Sequence, residues 1–357
     1  MKKIAVLCNY QLLPDRIGGM DHFFWQFDEA AKKAGYEVDW FFPNTAEQGG
    51  YKTLTIVASE NPSVEKTFLR YIEHEQRKYD TVFCHFLELC TPFYKQVKKH
   101  LPNAQLIAVD HNPRPIEGYS LTKRISKRIK GLLFSTYIDT FVGVSQYTVN
   151  EIRSDFGKTA ASKTIVIYNG IVTDSIQKRL NRSSIKPTFL TACHLRYSKG
   201  IQDLVEAVSL LPEPIRTDIH IDVYGDGPCA PDLKALVEQK KLNAQFTFKG
   251  NSPNLGSIYH CYDYLIHPSH MECFSLGILE SLAANVPVIT TSVGGNEEVV
   301  THNLNGYIFP CKNTILLSKI LKDLYTGEKR IHEDVSKPSR NQYTIGQMVE
   351  EYITLIN

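Results

Sequence analysis

Residues 264–280 read YLIHPSHMECFSLGILE, and the order of patterns in this stretch decides the architecture. Tyr264–His267 is an apolar run of strand length, whereas Leu276, Leu279 and Leu282–Ala283 recur at helical spacing. A buried strand that passes through a short loop into a helix is half of a βαβ crossover unit. Ser275, Leu276 and Gly277 open the helix with backbone amides that have no partner within it, and these amides together with the helix dipole suit a diphosphate. Glu272 precedes the helix and Glu280 lies on it, where the apolar stripe leaves it room to face a cleft. A carboxylate there accepts hydrogen bonds from ribose or sugar hydroxyls. Two glutamates at this spacing are also what a solvated surface helix carries, so the reading depends on the rest of the chain.

The same alternation runs outward in both directions. Ile4–Cys8, Val38–Phe42, Thr81–Cys84, Leu106–Val109, Thr140–Val144 and Ile165–Tyr168 read as strands of a first parallel sheet. Phe23, Phe27, Ala30, Ala31 and Ala34 recur at helical spacing after the first strand, with Gly35 as a C-terminal cap. After a polar stretch, Asp174–Lys186, the pattern restarts. Strands are expected at Phe189–Cys193, Ile219–Tyr224, Phe246–Lys249, Val288–Thr291 and Tyr307–Phe309, and helices near Ile201–Leu211, Asp232–Lys241, Leu316–Tyr325 and Ile345–Ile356. The chain has 357 residues, more than one core comfortably supports. The sequence therefore predicts an α/β protein of two Rossmann-like domains whose parallel sheets face a central cleft. The expected boundaries are 1–172, a linker at 173–186, a second domain at 187–335, and a C-terminal helix in 336–357 packing back towards the first domain. Ligands of such domains bind at the C-terminal ends of the strands.

Composition narrows the class. A net charge of +2 excludes a globally basic nucleic-acid binder. The N-terminal apolar run is too short for a secretory signal, and no stretch reaches the length of a membrane span. The eight cysteines are scattered without a CxxC pair and read as reduced thiols. A cytoplasmic protein is expected. His267 and His270, three residues apart without nearby partners, read as structural rather than metal-ligating. Gly225-x-Gly227-x-x-Ala230 fits a dinucleotide fingerprint but falls mid-domain, and reads as a turn. Asn181-Arg182-Ser183 fits a glycosylation sequon without a secretory context.

Four further motifs follow a fixed order around the opening stretch. They are Leu195-Arg196-Tyr197-Ser198-Lys199-Gly200-Ile201, Tyr224-Gly225-Asp226-Gly227-Pro228, Phe248-Lys249-Gly250-Asn251, and Ser292-Val293-Gly294-Gly295-Asn296-Glu297-Glu298; Asn305-Gly306-Tyr307 closes the series. The ordered set, from about Asn169-Gly170 to Pro310, resembles the C-terminal domain of the retaining family-4 glycosyltransferases of the GT-B fold. The first half is similar more loosely, through Gly18-Gly19, Asp110-His111 and Val144-Ser145. The resemblance implies an enzyme that moves a hexose or hexose derivative from a UDP- or GDP-sugar to a glycan or lipid-linked acceptor, with bacterial surface polysaccharide synthesis as a setting. It implies that Lys199 neutralises the departing diphosphate, Glu280 binds the ribose, Glu272 sits against the donor sugar, and Gly250–Asn251 contacts the base. Gly18-Gly19 would let backbone amides approach the phosphate, and His111 would lie near the transferred sugar. No Asp-x-Asp triplet is present, so no metal is expected, and Lys199, Arg196 and the helix start at Ser275–Gly277 are the candidates to replace one.

The chain departs from the family pattern at three places. His194 stands where an arginine is usual, with Arg196 two residues on; Cys273 and Ser275 replace glycines; and Asn285 replaces a glycine before Val286-Pro287. These leave open a nucleotide-sugar epimerase of the same architecture and a non-catalytic sugar-nucleotide-binding subunit. One further segment stands apart from the donor motifs. In residues 120–134, SLTKRISKRIKGLLF, Leu121, Ile125, Ile129 and Leu132–Leu133 fall on one helical face while Lys123, Arg124, Lys127, Arg128 and Lys130 line the rest. This is the pattern of a helix on an anionic membrane surface, and also of an ordinary amphipathic helix with a solvated basic face.

Overall fold

The computed structural model describes residues 2–13, 17–59, 63–180 and 186–356; residues 181–185 of the expected linker, with the sequon, lie outside them. The chain divides into two compact units, residues 1–170 with 345–357, and residues 171–344.

Unit 1 contains seven strands, β1 (Lys3–Cys8), β2 (Glu37–Phe42), β3 (Thr55–Ala58), β4 (Thr81–His85), β5 (Gln105–Asp110), β6 (Thr140–Gly143) and β7 (Thr164–Val166). They form one sheet in the order β3-β2-β1-β4-β5-β6-β7, with every pair parallel. The near-continuous apolar runs follow from this, because a parallel strand is covered on both faces. The covering helices are α1 (Gly19–Lys33), α2 (Val64–His74), α3 (Pro92–His100), α4 (Leu121–Phe134), α5 (Gln146–Phe156) and α6 (Lys158–Ala161). On one face Phe68, Phe93, Tyr94 and Ile152 pack against Leu7, Phe41, Val82 and Leu106. On the other, α1 lays Phe23, Phe24 and Phe27 against Trp40, Phe42 and Phe83, and Trp40 Nε1 donates to the buried Asp28 at 2.9 Å.

Unit 2 contains β8 (Phe189–Ala192), β9 (Ile221–Tyr224), β10 (Phe246–Gly250), β11 (Tyr264–His267), β12 (Val288–Thr291) and β13 (Gly306–Phe309). Its helices are α7 (Ile201–Ser209), α8 (Glu213–Asp218), α9 (Ala230–Gln239), α10 (Leu276–Ala283), α11 (Asn296–Val299), α12 (Thr314–Tyr325) and α13 (Lys337–Gln342). The sheet order is β10-β9-β8-β11-β12-β13, again all parallel. This is the doubly wound order in which the strand sequence reverses once, between β8 and β11. The reversal opens a crevice beyond the strand ends there. In unit 1 the corresponding reversal lies between β1 and β4.

The segment 336–357, where one helix was expected at Ile345–Ile356, carries a second, short helix before it. The short α13 belongs to unit 2, where Arg340 Nε donates to Ala283 O at 2.8 Å and Nη2 to Ile176 O at 2.6 Å. The final helix α14 (Ile345–Thr354) belongs to unit 1 and buries Tyr352 against Phe23, with ring centroids 5.0 Å apart, and against Phe83 and His85. The unit boundary falls at 170/171, and Ile171 N bonds back to Tyr343 O at 2.9 Å.

Candidate active site

In unit 2 the motifs converge on the crevice between β8 and β11. The turn after β8 carries Lys199 and the loop after β11 carries Glu272, and the two side chains form an ion pair across 73 residues of sequence. Gly200 permits this approach. Its φ is +70°, and a Cβ added there would lie 1.9 Å from the Pro268 carbonyl oxygen. Any side chain would therefore force the Lys199 turn away from the β11 loop. Gly200→Ala is expected to lower stability by about 1–3 kcal/mol, read as a fall in Cm on urea unfolding with an unchanged slope.

The β11 loop is fixed from beneath. Thr290 Oγ1 donates to His267 O at 2.9 Å and Thr291 Oγ1 to Ser269 O at 2.5 Å. Gly294, with φ +58°, backs directly onto Glu272, where a Cβ would meet the Glu272 carbonyl oxygen at 1.8 Å. Gly295 N donates to Cys273 O at 3.0 Å. This explains the Ser292–Glu298 motif as a floor for the loop. His270 is also accounted for, since its Nε2 bonds Asp203 on the first turn of α7 at 2.7 Å.

Glu272 is held through a single oxygen. Oε1 receives the Lys199 ammonium, His267 Nε2 at 2.8 Å and Ser269 Oγ at 3.2 Å. Oε2 has no hydrogen-bond partner among the described residues. Burial alone would raise the Glu272 pKa, but the Lys199 charge and the His267 hydrogen bond outweigh it and hold the carboxyl well below its usual range. Burial would lower the Lys199 pKa, and the Glu272 charge and hydrogen bond reverse that, so the ammonium keeps its proton. The result is a cation and an anion fixed side by side at the strand ends.

Glu280 has the opposite environment. Its Oε2 accepts from Tyr259 Oη at 3.1 Å, and Oε1 has no partner among the described residues. Burial dominates, and the carboxyl is pushed up to about 7 against the opposing Tyr259 bond. A carboxylate short of donors is one that hydroxyl donors from a ligand can stabilise.

Two of the sequence departures have a structural account. Ser275 caps α10, its Oγ accepting from Ile278 N at 3.4 Å with extended backbone, so no glycine is needed. Asn285 does adopt the left-handed conformation, φ +62°, and its side chain donates to Arg179 O and accepts from Val335 N. His194 turns to the neighbouring turn after β9, its Nδ1 donating to Asp226 O at 2.7 Å, while Arg196 is exposed. Gly225 and Gly227 there allow close backbone approach to Cys193 and Leu195, which is a structural role. The Gly250–Asn251 turn ends β10 beside them, with Gly225 N donating to Gly250 O at 2.8 Å. Leu276 and Gly277 lie in the first turn of α10.

Gly18, Gly19 and His111 belong to unit 1. Gly18 caps α1, and its N–H donates to the buried Asp21 carboxylate at 2.8 Å, which also receives Tyr10 and Tyr51 hydroxyls. His111 follows β5 and stacks on Phe86 with ring centroids 4.1 Å apart. His85, at the end of β4, meets it through Nδ1···Nε2 at 3.1 Å. Burial pushes His111 down to about 3, so the imidazole is neutral at physiological pH. Phe86 spans from His111 to Tyr10, with φ +59°. Both predicted positions of unit 1 thus lie on the C-terminal edge of its sheet, at the reversal between β1 and β4 and just beyond it.

Sequence reasoning missed Tyr259, His267, Ser269 and His85 as members of these networks. His267 carried a usable signal, because it ends the strand that leads directly to Glu272. Tyr259 carried none, being 21 residues from Glu280 in a short helical turn. Among the described residues no group of three or more His, Cys, Asp or Glu side chains is placed to hold a metal ion.

The family model for glycosyl transferases group 1 matches residues 172–342, and that for glycosyltransferase family 4 matches residues 17–175. The chain belongs to the family-4 glycosyltransferases. A similar curated protein is an uncharacterized glycosyltransferase of Methanocaldococcus jannaschii, 26% identical over 96% of this chain and 98% of that one. Among solved structures, Anabaena HepE in complex with UDP-glucose superposes with a TM-score of 0.77 at 16% identity, covering 99% of this chain and 100% of that one. The lipopolysaccharide outer core galactosyltransferase WaaB gives 0.74 at 15% identity, covering 99% of each chain. These glycosyltransferases share the GT-B fold with this chain.

Proposed function

We propose that this glycosyltransferase moves a hexose or hexose derivative from a UDP- or GDP-sugar to a glycan or lipid-linked acceptor, with retention of anomeric configuration and without a metal ion. The single observation that carries the reading is the Lys199–Glu272 pair beside the start of α10. HepE is described with UDP-glucose, and WaaB as a lipopolysaccharide outer core galactosyltransferase, which supports the donor class and a surface-polysaccharide setting.

In this reading the β-phosphate of the donor lies against Lys199 and the amides of Ser275–Gly277, with Arg196 near the same charge. The bond between the anomeric carbon and the phosphate oxygen breaks, and its electron pair leaves with the diphosphate. The acceptor hydroxyl oxygen bonds to the anomeric carbon on the same face, and its proton passes to the departing phosphate. Fixed donors aimed at that developing charge each contribute about 3 kcal/mol. Glu272 Oε2 accepts from donor-sugar hydroxyls and Glu280 Oε1 from ribose hydroxyls. His194 supports the turn beside the base-contacting Gly250–Asn251, and His111 serves the transferred sugar and the acceptor.

His111→Ala is then expected to leave nucleotide affinity within about twofold while lowering turnover about 10²-fold or more. Titration calorimetry and transfer kinetics on the same preparation check both parts. The whole reading is tested by a thermal-shift screen of UDP-, GDP-, ADP- and dTDP-sugars, in which the true donor class stabilises by mass action. Transfer by the best donor in the presence of EDTA, with the product anomer read by NMR, tests the metal and stereochemical statements. A donor that is only epimerised, with no acceptor product, contradicts the proposal.

A further inference from the structure

Helix α4 is mounted in the reverse of the usual sense. A surface helix ordinarily buries its apolar stripe and solvates its charges. Here the apolar residues Leu121, Ile125, Ile129, Leu132 and Leu133 are between 50% and 77% exposed, and Gly131 is the helix's one buried residue. Gly131 accounts for the orientation: a Cβ there would lie 2.1 Å from the Phe156 carbonyl oxygen, so the helix backbone rests directly on the end of α5. That contact turns Lys127 and Lys130 towards the body of unit 1. Lys127 Nζ bonds Asp155 at 2.7 Å and lies over the Tyr119 and Phe156 rings, and Lys130 Nζ bonds Glu88 at 2.6 Å.

The five basic residues of α4 therefore divide into two groups. Lys127 and Lys130 attach the helix to unit 1. Lys123, Arg124 and Arg128 are exposed and form no salt bridge among the described residues. At 100° per residue, Arg128 and then Arg124 line one edge of the outward apolar stripe, and no acidic side chain occurs on the helix. At 14 residues α4 is about 21 Å long, too short to span a bilayer and suited to lying in its plane. An apolar stripe edged by unpaired cations, with no anions, matches an acyl boundary beneath anionic headgroups.

We propose that α4 docks this glycosyltransferase on an anionic lipid surface, with Leu121, Ile125, Ile129, Leu132 and Leu133 entering the interface and Lys123, Arg124 and Arg128 contacting the headgroups. The test is flotation of the full chain with vesicles of phosphatidylcholine alone or doped with phosphatidylglycerol. Wild type is expected to float with the anionic vesicles, and to be partly released by raising the salt. The triple variant Lys123→Gln/Arg124→Gln/Arg128→Gln is expected to weaken partitioning about 100-fold, and Ile125→Ser/Leu132→Ser about 10-fold or more. Both sets are exposed, so far-UV circular dichroism and the melting temperature are expected to stay unchanged. Absence of flotation, or equal flotation with neutral vesicles, overturns the proposal. Concentration-dependent dimerisation that Ile125→Ser/Leu132→Ser abolishes also overturns it, because the face would then belong to a second copy of this chain.

Discussion

Lys199→Met is expected to lower kcat/KM for sugar transfer about 10²- to 10³-fold, the largest single loss at the donor site. Methionine keeps the length of the stem and removes only the charge. Two effects add. The departing diphosphate loses its fixed ammonium, and Glu272 is left beside His267 and Ser269 without its cation. The second effect separates this lysine from a mere surface charge. With Lys199 gone, burial is opposed only by the neighbouring imidazole and hydroxyl, so the Glu272 pKa rises from its depressed position. The pH–rate profile of the variant is therefore expected to gain an acidic limb that wild type lacks. Stability follows the same logic. A carboxyl depressed in the folded state contributes stability above its unfolded pKa and loses it as pH falls through the folded value. Lys199→Met is expected to narrow the acid-side difference between folded and unfolded protein, with a smaller dependence of Tm on pH below pH 4.

Glu280→Gln is expected to have opposite effects on binding and on stability. The carboxyl sits near 7 because burial leaves it with Tyr259 as its one donor among the described residues. A carboxyl raised in the folded state costs stability as pH climbs from its unfolded value towards 7, since the unfolded chain releases its proton first. The neutral amide removes that cost, so the ligand-free variant is expected to be more stable than wild type at pH 8, by about 1–3 kcal/mol, and not at pH 4. Nucleotide affinity is expected to move the other way. Ribose hydroxyls donate to the carboxylate and favour its ionised form, so binding to wild type strengthens as pH rises towards 7 and then levels. Hydrogen bonds to a charged group contribute about 1.5–3 kcal/mol, so the amide is expected to weaken binding about 10- to 100-fold at pH 8. It should also flatten the pH dependence that Glu280 supplies. Calorimetric titration with the donor nucleotide between pH 6 and pH 8, on both proteins, checks the sign. The same variant being less stable and binding normally would remove Glu280 from the site.

The parts of the fold legible from sequence were those that two-sided burial writes into the residues. The strands at Tyr264–His267 and Val288–Thr291 coincide with the apolar runs, because a central parallel strand tolerates no polar face. β3 escaped because it is an edge strand and only half covered. The short helices α6, α8 and α11, of four to six residues, are too brief to show a period. At the site, Lys199, Glu272 and Glu280 were singled out by motif order and family resemblance, and the structure pairs the first two at the strand ends. Their partners were not, since Tyr259 and Ser269 reach the carboxylates through tertiary packing that no local spacing encodes. Ser275 looked like a departure and is a cap, a case where a different residue type meets the same backbone need. For α4 the sequence showed the stripe and the charges but not their orientation. The close approach at Gly131 sets that orientation, and it depends on what lies opposite in space.

In the proposed function, Lys199 and the α10 start recognise the diphosphate of the donor separately from its nucleoside. The most direct test of this is calorimetric titration of wild type and Lys199→Met with a nucleoside and with the matching nucleoside diphosphate, in the base series selected by the thermal-shift screen. Equal nucleoside affinity in the two proteins is expected, with a loss of about 10-fold or more confined to the diphosphate. Equal affinity of both proteins for the diphosphate, or an equal loss for nucleoside and diphosphate alike, contradicts it.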